Sequence, residues 1–261
     1  MSTVAYALDG RVARIRLADA ARGNSLTMST VDELGRAVRR ARADEAHVVV
    51  LSAEGRAFSV GGDVSAFAAA GDVGVLVDDL ADALHRTISD LHRMDAIVVA
   101  VVQGTAAGAG LALAAAADLV LAGASARFTL AYTKLGFSPD GGSSLLPASL
   151  GLHRALHFAL LNPVVTAAEA HRLGLVAEVH PDDELEAAAA EVVRRLAEGS
   201  RTAQVATKRL LRETATPAPE VALRREAVSI RTRAASPDGR EGVAAFREKR
   251  APRFSDTPEP A

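Results

Sequence analysis

The 261-residue chain has no cysteine, no tryptophan and only two tyrosines. Without cysteine there are no thiol nucleophiles, thiolate metal ligands or disulfides, which is compatible with a cytoplasmic location. Neither sign of charge is in excess, with Lys+Arg 30 against Asp+Glu 32, so no basic face for nucleic acid is expected. Long apolar runs are also scarce. The only stretch long enough to span a bilayer is the 22 uncharged residues between Asp95 and Asp118. It opens with Ile97-Val98-Val99, breaks at Gln103-Gly104 and turns to alanine, which fits strand, turn and buried helix better than one hydrophobic rod. The N-terminus lacks the basic start and continuous apolar region of a signal peptide. Instead Val4, Tyr6 and Leu8, then Asp9-Gly10, then Val12, Ile15 and Leu17 read as a hairpin. The expectation is a soluble, unexported, cytoplasmic protein with neither membrane nor nucleic acid as partner.

The chain does hold two glycine-rich elements, Phe58-Ser59-Val60-Gly61-Gly62-Asp63 and Gly104 through Gly110. Each follows a run that reads as a buried strand, His47–Ser52 and Ala96–Val102, and the second opens into an apolar helical stretch, Leu111–Ala117. Small residues at a strand-to-helix turn leave backbone N–H groups uncovered, and a helix N-terminus adds positive potential. Two such donors converging on one oxygen would form an oxyanion hole. A dinucleotide fingerprint would need glycine or alanine at position 113, which is Leu113, and no Gly-Lys-Ser/Thr phosphate loop is present. Elsewhere, Thr30-Val31-Asp32-Glu33 and Thr166-Ala167-Ala168-Glu169 have the capping-box pattern of helix starts, and Gly174 suits a helix stop. Leu76, Leu80, Leu84, Ile88 and Leu91 form a helical stripe; Asp118–Ala122 and Arg127–Leu130 read as short strands. Helical stretches follow around Thr202–Glu213, Pro219–Thr232 and Glu241–Lys249, with Ser236-Pro237-Asp238-Gly239 separating the last two and Thr257–Ala261 expected to fray. His153 and His157 lie four apart beside Arg154, a solvated helix face rather than a metal site. The arginines from Arg224 to Arg233, alternating with Glu226, read as an interface or a solvated helix.

Four stretches together resemble the enoyl-CoA hydratase/isomerase (crotonase) superfamily: Arg22–Leu26, Ala57–Val64, Gly104–Leu113 and Glu241–Arg250. They match in order and spacing, and the resemblance covers essentially the whole chain. It implies an α/β fold, the crotonase (ClpP-like) spiral of repeated ββα units with a helical C-terminal trimerisation region. Residues 1–200 would form the core with the acyl-CoA site, and 201–261 the oligomerisation region of a homotrimer or dimer of trimers. It also implies an acyl-CoA thioester as substrate, with coenzyme A arriving as part of it and no bound cofactor or metal. By match, Gly62 and Ala109 supply the oxyanion N–H groups. Arg22, Gly23, Val60, Asp63, Val64, Ser65 and Tyr132 fall in the substrate- and CoA-binding stretches, and Phe246 and Lys249 fall where a neighbouring subunit contacts CoA.

The departures from the family pattern bear on the reaction. Hydratases of this family hold water between two glutamates, whose positions here are Ala112 and Tyr132, so the two-carboxylate route to water addition is missing. Asp140 lies in a Pro-Asp-Gly turn, Pro139-Asp140-Gly141; local sequence alone reads it as a turn residue or helix cap. Yet Phe128 through Asp140 resembles the phenylacetate-pathway isomerases, which use an aspartate there. One carboxylate could carry a proton from the α-carbon of a 3-enoyl thioester to its γ-carbon without bound water. His85 matches a histidine that 4-chlorobenzoyl-CoA dehalogenases use to activate water, and in those enzymes the matching aspartate is a nucleophile. Their aromatic pocket uses tryptophan, absent here. The expected activity is a 3-enoyl to 2-enoyl-CoA isomerase with Asp140 as acid/base. The alternatives are a hydratase, hydrolase or dehalogenase-type activity using Asp140 and His85, and a non-catalytic acyl-CoA-binding paralogue.

Overall fold

The computed structural model describes residues 2–216 and 218–254, so the Thr257–Ala261 end lies outside the described residues. The chain opens on the expected hairpin, β1 (Val4–Asp9) and β2 (Val12–Leu17), which turns at Gly10 with φ +56°. In order there follow α1 (Met28–Ala43), β3 (Val48–Ala53), β4 (Ala57–Ser59), α2 (Val64–Ala69), α3 (Val73–Arg93), β5 (Ile97–Val102), β6 (Thr105–Ala107) and α4 (Ala109–Ala115). Next come β7 (Leu119–Gly123), β8 (Arg127–Thr129), α5 (Leu146–Leu150), α6 (Leu152–Leu161), β9 (Val165–Thr166), α7 (Ala167–Arg172) and β10 (Glu178–His180). Four helices end the chain: α8 (Leu185–Glu198), α9 (Arg201–Ala215), α10 (Pro219–Ala234) and α11 (Pro237–Arg247).

The strands form a larger sheet in the order β1-β2-β3-β5-β7-β10 and a smaller one in the order β4-β6-β8-β9. The pairs β3/β4, β5/β6 and β7/β8 each give one strand to each sheet before the chain returns through helix, which is the ββα spiral. Central strands of the larger sheet run parallel and are buried on both faces, as their unbroken valine runs require. Val49, Leu51, Val98 and Ala100 point to the main core with α1 and α3, while Val48, Val50, Val99 and Leu121 meet Leu185, Ala189 and Val193 of α8. The uncharged Ala96–Ala117 stretch is thus two strands and a helix. Among the described residues no helix is long and apolar enough to cross a membrane.

Two local expectations are corrected. The first helix starts at Met28 and is capped by Thr27, whose side chain accepts from Thr30 N, rather than by Thr30. Glu33 does not reach back along its own helix; its carboxylate accepts from the backbone N–H groups of Thr3 and Val4 at the edge strand. Ser236 caps α11 and Pro237 is its first residue, so Ser236–Gly239 begins that helix instead of only separating two. The second capping pattern holds: Thr166 accepts from Glu169 N, and Gly174, at φ +86°, follows the end of α7. Helices α10 and α11 fold back over the start of the chain's own α2 and α3. Phe67, Val77, Phe137, Ile230 and Val243 make a second apolar cluster there.

Candidate active site

The Arg22–Leu26 stretch is laced to the first glycine element by its backbone and by buried Asn24. Asn24 Nδ2 donates to the carbonyls of Glu54 and Ala57, and Ser59 Oγ donates to Asn24 O at 2.8 Å. Leu26 N donates to Gly61 O at 2.8 Å and Val60 N to Gly23 O at 3.0 Å. These bonds press Gly61 against the second element: a Cβ at Gly61 would lie 2.8 Å from Ala107 O and 3.3 Å from Ala109 N. Gly61 at φ +85° and Gly108 at φ +54° take backbone conformations that favour glycine. The result sets Gly62 beside Ala109, the first residue of α4. Among the described residues neither of their N–H groups has a hydrogen-bond acceptor. A side chain at Gly62 would meet the Phe67 ring at 2.8 Å, so glycine keeps that edge open.

Both groups line a cavity of about 640 Å³. Of the residues expected in the site, Arg22, Val60, Gly62, Asp63, Val64, Ser65, Ala109, Tyr132, Asp140 and Phe246 line it. Gly23, His85 and Lys249 do not. Gly23 lies behind Val60, His85 is buried behind Asp140, and Lys249 is exposed just past α11. Much of the remaining lining is apolar, with Phe67, Val77, Leu80, Leu84, Phe137 and Ile230. Asp63 and Asp140 are its only acidic residues among the described residues. Asp63 is occupied: its Oδ1 accepts from Ser65 N and Ala66 N as the cap of α2.

Asp140 is different. Its backbone is fixed, since Tyr132 Oη donates to Asp140 O at 3.0 Å and Ser143 Oγ at 2.7 Å. Its carboxylate Oδ1 lies 2.9 Å from His85 Nε2, but off the line of a hydrogen bond, and that oxygen is buried without a donor. The same Nε2 lies 3.1 Å from Glu226 Oε2, in hydrogen-bonding alignment. All three residues are buried: His85 and Asp140 are 7% exposed and Glu226 5%. Burial works against a charge on His85 and is the largest influence on it, but the two carboxylates of Asp140 and Glu226, held 2.9 and 3.1 Å from Nε2, together overcome it and raise its pKa to about 9. Burial also pushes the Tyr132 hydroxyl well above its ordinary value, helped by both carboxylates, so it stays neutral. The three ligand atoms lie within 4.8 Å of one another, close enough for a divalent cation to bridge. A proton on Nε2 fits the spacing as well, and both Glu226 oxygens already accept backbone N–H groups, from Gly142 at 2.8 Å and from Ser144.

Glu226 is the site residue that sequence reasoning missed. In sequence it stands among arginines that read as a solvated face, whereas it belongs to the buried stripe Leu223, Glu226, Ala227, Ile230 and Ala234 of α10. A carboxylate inside a stripe at spacings of three and four was the available signal. The neighbouring Arg224 and Arg225 do point to solvent, and so do His153 and His157 on α6.

A sequence model of the enoyl-CoA hydratase/isomerase family matches residues 8–257. A probable enoyl-CoA hydratase of Rhodobacter capsulatus is 37% identical over 254 residues, covering 97% of this chain and 98% of that protein. The 1,2-epoxyphenylacetyl-CoA isomerase of Escherichia coli K12 is 35% identical over 220 residues, 82% of this chain and 83% of its own. Among solved structures, an enoyl-CoA hydratase from Mycobacterium avium subsp. paratuberculosis superposes with a TM-score of 0.89 at 35% identity, covering 97% of this chain and 99% of the other.

Proposed function

Because the chain belongs to the enoyl-CoA hydratase/isomerase family, we propose that it moves a double bond of an acyl-CoA thioester from the 3 to the 2 position, with Asp140 as acid and base. The observation that carries this reading is that, of the two acidic residues lining the cavity among the described residues, Asp63 is committed to a helix cap and Asp140 is not. Asp140 takes the α-proton, the electron pair moves into the carbonyl, and the enolate oxygen sits on the N–H groups of Gly62 and Ala109. Each such donor is worth about 2.7–4 kcal/mol in the transition state. Asp140 then returns the proton to the γ-carbon, so atoms balance without water. Ala112 and Tyr132, where hydratases carry glutamates, leave no second carboxylate to hold a nucleophilic water.

The 2.9 Å contact of His85 with Asp140 supports a second reading, hydration or hydrolysis through the pair. Against it, His85 does not line the cavity and its Nε2 is bonded to Glu226. Purified protein assayed with 3-enoyl-, 2-enoyl- and aryl-CoA thioesters separates the two. Isomerisation of 3-enoyl-CoA without release of free CoA is expected, and Asp140→Asn should abolish it. An untouched 3-enoyl substrate, or full rate in Asp140→Asn, would sink the proposal. The chain has no thiol, so CoA release can be read with a thiol reagent without protein background.

The same reading gives residues 201–261 the task of assembly into a trimer or dimer of trimers, with Phe246 and Lys249 presented to a neighbour's CoA. Leu210, Leu211, Val221, Val228 and Phe246 lie exposed within that stretch, and Leu152, Leu156, Leu160 and Leu161 add an exposed apolar face on α6 of the core. Apolar surface of this extent supports burial between subunits. Light scattering that finds only monomer would contradict it.

A further inference from the structure

Glu226 has no part in the chemistry described so far, yet it sits 141 residues from His85 in the chain and within hydrogen-bonding reach of it. A buried carboxylate is costly unless its oxygens are paired. Here Oε1 accepts from Ser144 N, and Oε2 accepts from Gly142 N while facing His85 Nε2. Two carboxylates thus converge on one ring nitrogen, and that convergence favours a proton on it. Imidazole has one N–H to give at Nε2, and the alignment gives it to Glu226, not Asp140. Had Asp140 been the aligned partner, its carboxylate would be tied up in that bond.

We propose that Glu226 is a positioning residue for Asp140: it keeps the proton on His85 Nε2 and takes that N–H bond itself, so that Asp140 faces a fixed cation on its buried Oδ1 side while no N–H bond from the ring ties up the carboxylate that is to move a substrate proton. This rests on the reading of Asp140 as the acid/base. The charged groups acting on His85 are Asp140 from the loop before α5 and Glu226 from α10. Tyr132, the other titratable group beside Asp140 and Glu226, is neutral and donates to the Asp140 carbonyl. The adjacent Arg86 of α3 points to solvent.

The test compares wild type, Glu226→Gln and Glu226→Asp in the full-length protein. Its readouts are kcat and KM for 3-enoyl-CoA across pH, and an NMR titration of the His85 ring assigned by its loss in His85→Gln. Wild-type His85 should titrate near pH 9. In Glu226→Gln its midpoint should fall by about one unit or more, and the alkaline limb of kcat should move with it. Near neutral-to-alkaline pH kcat should drop roughly tenfold with KM little changed, and Glu226→Asp should restore most of the limb. The proposal is overturned if wild-type His85 titrates near the ordinary imidazole value. It is equally overturned if Glu226→Gln lowers activity only in proportion to the folded fraction, with limb and midpoint unmoved. The titration needs no turnover, so a protein that leaves 3-enoyl-CoA untouched would defeat the Asp140 reading while the ring still reports on Glu226. Should Glu226→Gln not fold, the titration of the wild-type ring and of Glu226→Asp decides between the two outcomes.

Discussion

The oxyanion donor proposed at position 109 is a backbone N–H, so truncating the side chain would test nothing; proline would. Ala109 is the first residue of α4, where a helix tolerates proline because that N–H has no intrahelical partner. Gly108 precedes it with φ 54° and ψ −127°, a conformation open to glycine before proline. Ala109→Pro should therefore keep the fold, checked by circular dichroism and melting temperature. It should lose one oxyanion donor, lowering kcat by roughly 10²–10³-fold. A variant that melts like wild type and keeps full rate would remove Ala109 from the hole. The same residue scale shows why Glu226 was hidden in the sequence. Its neighbours on its own helix are arginines, whereas its real partners come from α3 and the loop before α5, far away in the chain.

Among the elements, α4 lies unusually close to β4, and Gly110 is the reason. A Cβ there would stand 2.6 Å from both Ser59 O and Ser59 Cβ, atoms of a neighbouring strand that cannot swing away. Helix propensity alone would favour Gly110→Ala by about 1 kcal/mol. Overpacking against backbone costs about 1–3 kcal/mol, and it also pushes α4 off the first glycine element. The net expectation is destabilisation, read as a lower urea midpoint, with Gly71→Ala as a near-neutral control because nothing lies within 4 Å of its added methyl. A Gly110→Ala midpoint equal to or above wild type would show that α4 has room to shift. Elements with a local cause were legible: the hairpin turn at Gly10, the Thr166 cap, the buried valine strands. The helix start at Thr27 was not, because Thr27 and Thr30 are equally good caps by type. The choice fell to Glu33, which is drawn away to the free N–H groups of the edge strand. The two glycine elements were legible as strand-end turns, but only the fold brings Asp140 into the cavity that Gly62 and Ala109 line.

For the whole molecule, two buried histidines bracket neutral pH. His85, raised to about 9 against burial by Asp140 and Glu226, contributes stability that is complete below pH 6.5 and lost as pH rises through 9. His92 is the reverse. Burial first, then Arg212, lowers its pKa to about 4, so the unfolded chain takes up its proton first and stability is lost as pH falls from 6.5 through 4. Urea midpoints measured from pH 4 to 9 should peak near pH 6.5 and fall on both sides. A midpoint still climbing between 6.5 and 9 would mean that His85 is neutral in the folded protein.

The pairing of Gly62 and Ala109 has a further consequence, for descent with modification. Donors that belong to the main chain are not removed by a change of side chain, proline excepted, although at Gly62 any larger residue would meet the Phe67 ring. On the proposed mechanism, the groups that would decide what becomes of the enolate are single side chains at 112, 132 and 140, with 85 and 226 behind them, each open to replacement by one substitution. On that reading a scaffold of this kind can keep its intermediate while changes at a few side chains exchange the reaction.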